Sequence, residues 1–137
     1  MRAKEYLQQI KTLENELFII NEELKTRYYA IKSVQYDSIP GNRDLDASLH
    51  NAEKIIELRQ KYEARLMELS DLRDEVIETI RKIKNANIRR VIYLRYCQHM
   101  PFKRIAQEMT YSEQRIIQLH KSGLNAIDEI LNDYSKL

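Results

Sequence analysis

The sequence predicts an all-α protein: a long antiparallel helical hairpin, coiled-coil-like, followed by a compact unit of shorter helices. Three observations lead there. Of 137 residues only two are Gly and two are Pro, so few positions stop a helix. Apolar residues recur at spacings of three and four along most of the first 84 residues. Turn-forming residues gather at a few places and leave long uninterrupted stretches between them.

Residues 3–31 predict the first helix. One seam is Ala3, Ile10, Leu17, Leu24 and Ile31, and the other is Tyr6, Leu13, Ile20 and Arg27. A stripe with this 3.5-residue period prefers a partner helix to a flat sheet. Residues 33–46 lose the period and hold Ser38, Pro40, Gly41, Asn42 and Asp44, which predicts a long loop with a tight reversal at Pro40-Gly41. A second helix follows over 46–83. Its stripe is Ala52, Ile55, Tyr62, Leu66, Leu69, Val76, Ile80 and Ile83, widened by Ile56, Leu58, Leu72 and Ile77. Arg59 and Arg73 interrupt one seam and lay their stems along it. Folding the second helix back on the first gives a hairpin, and a second copy of the chain would cover what two helices leave exposed. A homodimer is therefore expected.

The composition narrows the function. The longest apolar run is Leu17-Phe18-Ile19-Ile20, far short of the ~20 residues that span a membrane. No basic segment leads into an apolar stretch at the start, so no export signal and a cytoplasmic location are expected. A lone Cys97 and three scattered His offer neither disulfides nor the usual zinc spacing. Two Gly leave no phosphate-cradling loop, and no nucleophile, base and orienting group can be assembled. Neither an enzyme nor a cofactor is expected.

Charge is unevenly placed. Residues 1–84 hold 15 basic and 16 acidic side chains, whereas 85–127 hold seven basic ones against Glu108 and Glu113. A basic block between a neutral arm and an acidic tail points to a local polyanion site; the alternative is a solvated helix surface.

That block has an internal layout. Lys84-Asn85-Ala86-Asn87 is a polar joint in which Asn87 can cap the helix of residues 88–97. His99-Met100-Pro101 ends that helix, and Pro101 opens a brief one over 102–109. After Thr110-Tyr111, Ser112 caps a longer helix from Glu113 to about Leu131. A helix of eight, a short turn and a longer helix make the layout of a helix-turn-helix. Ile105, Met109, Ile116 and Leu119 supply its core, and the small Ala106 permits close approach. On the last helix Ile116, Leu119, Gly123, Leu124 and Ile127 share one side, with Gln114, Gln118, Lys121 and Asn125 opposite. Amide and ammonium groups of this kind suit base edges and phosphates; the bland alternative is a solvated polar face. Lys103 and Arg104 stand in the first turn of their helix, where the dipole disfavours cations by ~0.3–1 kcal/mol each, a sign that a bound phosphate reverses.

Residues Ile88 to Ile127 resemble region 4 of sigma-70-type transcription factors. Ser112-Glu113-Gln114-Arg115-Ile116-Ile117-Gln118-Leu119 resembles the opening of that family's recognition helix, and Leu124 and Ile127 its continuation. Arg90-Val91-Ile92-Tyr93-Leu94-Arg95-Tyr96 resembles its first helix, and Ile105-Ala106 its usual pair. The whole layout is similar to small phage-encoded late transcription regulators of the ArpU/RinA type. The resemblance implies major-groove DNA binding, a phage or prophage origin and a contact with RNA polymerase. Glu113, Gln114, Ile117 and Gln118 match the family's base-reading positions. Ile117 stands where sigma factors usually have a basic residue, so the family's promoter element is not implied; Pro101 and Arg104 replace the family's usual Ser/Thr cap and Glu, which weakens a capping pair and adds positive charge.

The reading is a dimeric double-stranded-DNA-binding transcription regulator. Residues 1–84 form the dimerisation arm and 85–137 the DNA-binding domain. Gln114, Gln118, Lys121, Asn125, Glu113 and Ile117 read bases; Lys103, Arg104, Ser112, Arg115, Arg89 and Arg90 hold phosphates. Two competitors are a small-terminase-like DNA-packaging protein and a helical interaction module that binds no DNA. Of the remaining side chains, Tyr6 and Tyr62 are seam residues, Tyr93 and Tyr96 pack the helix-turn-helix against the arm, and Tyr111 is placed to touch a phosphate. His120 is structural, His50 and His99 face solvent, and Cys97 is a small buried group.

Overall fold

A computed structural model describes residues 2–37 and 42–135. Its elements are all helices: α1 (Arg2–Asp37), α2 (Asn42–Arg81), α3 (Ala86–Tyr96), α4 (Phe102–Met109) and α5 (Glu113–Ser135). The two long helices pack together, as their stripes require. Among the described residues no helix is long and apolar enough to cross a membrane. The chain divides into two compact units, Leu13–Leu69 and Met1–Thr12 with Ser70–Leu137.

In the Leu13–Leu69 unit, Ile20 and Leu24 of α1 bury against Ile55 of α2, with Ile31, Leu58 and Tyr62 partly buried around them. Polar contacts border this seam. Arg65 donates through Nε to Glu16 at 2.8 Å, and Arg27 donates to Asn51 Oδ1 at 2.8 Å. The Arg59 guanidinium lies 5.6 Å above the centre of the Tyr28 ring. The long loop expected over 33–46 is much shorter: α1 continues to Asp37 and α2 begins at Asn42. Losing the apolar period does not break a helix, and Ser33-Val34-Gln35-Tyr36-Asp37 contains no Gly or Pro. Asn and Asp, read there as turn formers, are also the residue types that start helices. The reversal expected at Pro40-Gly41 lies outside the described residues. Leu66 and Ile56, counted with the stripe of α2, are instead 46% and 58% exposed. Ile56 follows the buried Ile55 by about 100° around the helix, which turns it off the seam.

In the other unit, Ala3, Leu7 and Ile10 of α1 and Val76 and Ile80 of α2 are buried. Tyr6 donates its hydroxyl toward Glu75 Oε2 at 3.3 Å and lies 3.1 Å from the Thr79 hydroxyl, which donates in turn to the Glu75 carbonyl. The start of α1 carries orphan N–H groups. One is satisfied from α5: Ala3 N donates to Asp128 Oδ1 at 2.7 Å, a carboxylate at a helix's positive end. The end of α2 tightens into three-residue turns at Lys82 and Ile83, two residues short of the expected boundary, with Ile83 still buried. The cap of α3 is Asn85 rather than Asn87; its side chain accepts from the N–H groups of Asn87 and Ile88. Pro101 sits just outside α4, its backbone extended (ψ 153), and its carbonyl receives Arg104 N and Ile105 N.

Helices α3, α4 and α5 enclose one core: Val91, Leu94, Ile105, Ala106, Ile116 and Leu119, with Met100, Phe102 and Met109 at its edge. Gly123 sets the separation of α3 and α5. A Cβ there would stand 2.5 Å from Cγ1 and Cδ1 of Ile92, which is fully buried. His120 is held by its ring. Its Nε2 lies 2.7 Å from the Tyr96 hydroxyl, the two rings stack, and Phe102 meets it edge-on at 4.9 Å. Burial, then the cations of Arg95 and Lys4, holds its pKa below the ordinary 6.5.

Two outcomes are expected. Gly123→Ala gains ~1 kcal/mol of helix propensity but overpacks a filled seam at ~1–3 kcal/mol, so thermal denaturation should show a net loss. Ile92→Ala in the same chain should recover part of that loss. Below about pH 6.5 the unfolded chain protonates His120 before the folded one does, so stability falls from there down to the folded-state pKa. Denaturant titrations between pH 7.5 and 5 should show this slope in the wild type and a shallower one in His120→Gln.

Candidate nucleic-acid interface

The turn before α5 decides where that helix starts. Thr110 ends α4 in the left-handed region (φ 60, ψ 41), and the N–H groups of Thr110 and Tyr111 both donate to the Ala106 carbonyl. The chain is thus turned within three residues. Ser112 then caps α5: its Oγ accepts from Arg115 N at 3.1 Å and its carbonyl from Ile116 N. Glu113 adds an acidic group in the first turn, where the helix dipole favours it. The helix runs on to Ser135, past the expected Leu131, because Leu131 is buried and Lys82 lies 4.0 Å over the Tyr134 ring.

Burial of one side of α5 leaves the other in water. Ile116, Leu119, Gly123, Leu124 and Ile127 face inward, as their spacing predicts. Gln114, Gln118, Lys121 and Asn125, at spacings of four, three and four, are all exposed and form one row. Glu113 and Arg115 are exposed beside the cap, and Ile117 is 47% exposed at the edge of the row, an apolar side chain with no place in the core.

The basic residues of the block divide by task. Lys103 and Arg104 project from the first turn of α4 into water; Arg104 Nε reaches Glu108 only at 4.0 Å. Arg90 is exposed on α3. Arg89, one residue earlier, is half-buried, and its Nη1 donates to the carbonyls of Ile83 at 2.6 Å and Lys84 at 3.3 Å. That nitrogen is committed to the end of α2, which sequence reasoning did not show. Arg95 covers the Phe102 ring at 4.2 Å and donates to the Met100 carbonyl, and Arg73 donates to the Cys97 carbonyl. The exposed cations are therefore Lys103, Arg104, Arg90, Arg115 and Lys121.

Two further side chains join this surface. Tyr111 is exposed in the turn, and its hydroxyl accepts from Asn87 Nδ2 at 3.1 Å, which ties the turn to the start of α3. The sequence singled out Tyr111 but gave Asn87 the role of a cap; only the fold brings the two together. Of the tyrosines expected to pack on the arm, Tyr93 packs against the core of α3, α4 and α5 and also lines an open groove with Ile77 and Ile80 of α2, and the Tyr96 hydroxyl lies against His120. Cys97 is buried, and His50 and His99 are exposed, as expected.

A capped helix with a polar outer row, set off by a three-residue turn from a short helix with cations at its start, is a form that fits a groove lined by phosphates. Among known proteins, no curated protein and no solved structure matches the chain. Residues 85–129, a third of the chain, match the family model described as Sigma-70, region 4, so the chain ends in a sigma-70 region 4-like helix-turn-helix.

Proposed function

We propose that the protein is a sequence-specific regulator of transcription that binds double-stranded DNA through α5. The observation that carries this reading is the exposed row Gln114, Gln118, Lys121 and Asn125 on a helix whose opposite side is fully used in packing. Gln bonds adenine bidentately in the major groove, Lys reaches guanine or phosphate, and Asn serves adenine. Ile117 offers an apolar contact to a thymine methyl, and Glu113 an acceptor for a cytosine amine. Lys103, Arg104, Ser112, Arg115 and Arg90 hold the phosphates on either side, with Arg89 bracing them through its remaining donors. A phosphate at the start of α4 turns an unfavourable pair of cations into a favourable one.

The division of labour follows. Residues 85–137 bind DNA and the arm of 1–84 joins two copies, so that two recognition helices address two half-sites. We extend the proposal to a phage or prophage origin and a contact with RNA polymerase, on the resemblance read from the sequence alone, and to action in the cytoplasm, where a regulator of this kind would meet its DNA.

Selection of bound fragments from random duplex DNA at fixed salt should yield one enriched motif. On that motif, Gln114→Ala and Gln118→Ala should each cost ~1–3 kcal/mol and relax the preference at one position. Lys121→Ala should instead weaken all duplexes alike and lower the slope of affinity against salt by about one. Binding that shows no sequence preference, or that ignores both glutamines, overturns the reading.

A further inference from the structure

Tyr111 stands in the turn that leads into α5, 40% exposed, three residues before the polar row begins at Gln114. Its hydroxyl oxygen accepts from Asn87 Nδ2 at 3.1 Å, a side chain in the first turn of α3. A phenol has one O–H to donate and lone pairs to accept with. The amide takes a lone pair, so the O–H points away from Asn87, and among the described residues no protein group receives it. Asn87 therefore sets the direction of the remaining donor, which faces water beside the start of α5. Arg90, exposed on α3 three residues after Asn87, shares that side of its helix.

A donor with no acceptor of its own, held near a cation, suits a ligand that only accepts. The non-bridging oxygens of a phosphodiester have no hydrogen to donate, and their charge strengthens the bond they receive. A recognition helix touches bases with its N-terminal residues, so the turn before it meets the edge of the groove, where the phosphates run. We propose that the Tyr111 hydroxyl donates to one phosphate of the DNA backbone and that Asn87 is its positioning residue. The inference rests on the DNA-binding reading above and adds to it a contact that carries no charge. Two consequences set this contact apart from the others. A neutral donor releases no counterion, so its loss leaves the salt dependence as it was, unlike the loss of Lys121. A phosphate contact holds no base information, so its loss leaves the base preference as it was, unlike the loss of Gln114.

The test uses the full chain and the duplex that selection enriches, with circular dichroism confirming that each variant keeps its helicity. Tyr111→Phe removes only the hydroxyl and should weaken binding about five- to tenfold, with salt slope and base preference unchanged. Asn87→Ala should weaken it about two- to threefold and cost nothing further in the Tyr111→Phe background. Duplexes with one phosphate at a time replaced by a methylphosphonate locate the contact. At one position the replacement should weaken the wild type severalfold more than it weakens Tyr111→Phe. A merely structural role for the pair would not single out one phosphate. Tyr111→Phe that binds as the wild type does, or that couples to no phosphate, overturns the contact. Asn87→Ala that acts equally in both backgrounds, or that tightens binding, overturns the positioning role. Either result leaves the regulator reading standing while Gln114→Ala and Gln118→Ala keep their effects; a wild type without sequence preference removes both.

Discussion

The approach of α3 to α5 at Gly123 is the constraint on which the rest of the exposed polar surface of α5 depends. With hydrogen in place of a side chain, the helix can press its Ile116-to-Ile127 side onto Ile92 and Ile88. That contact commits one side of α5 to the core along more than three turns, and the polar row is outward because the apolar row is inward. A recognition surface on a helix needs a fixed rotation about its axis, and packing density supplies it more firmly than surface polar contacts do. The ring cluster of Tyr96, Phe102 and His120 and the Asp128–Ala3 hydrogen bond hold the same helix farther along.

Short polar groups complete what packing begins. Asn85 and Ser112 satisfy the N-termini of α3 and α5 with their own side chains. The start of α4 has no side-chain cap and carries two cations. In isolation that end is under-compensated, and an external anion is the natural complement. The difference among the three helix starts is local and electrostatic, and it coincides with where the proposed phosphate contacts lie.

The arginines show how one residue type serves two ends. Arg73, Arg89 and Arg95 turn onto backbone carbonyls of neighbouring segments. A guanidinium with five donors can close the end of one element while its stem packs on another, as Arg95 does over Phe102. Arg90, Arg104 and Arg115 stay in water. Net charge along the chain cannot separate these groups, because it counts a carbonyl-bound guanidinium and a free one alike.

Much of this architecture was legible in the residues. Apolar spacing located the two long helices and the inward side of α5; Ser112, Pro101 and the eight-residue α4 located the helix-turn-helix, since each depends on neighbours within one or two turns. Where the period merely faded, over 33–37 and 42–46, the residues could not distinguish loop from helix, because a polar helix also lacks a stripe. Tertiary structure alone decided the contacts between distant positions: Asn87 with Tyr111, Ala3 with Asp128, Arg89 with Ile83, and the exposure of Ile56 and Leu66. Sequence periodicity states which residues share a side of one helix. Which neighbour that side meets, and how far along it the meeting extends, depends on the packing of whole elements against each other.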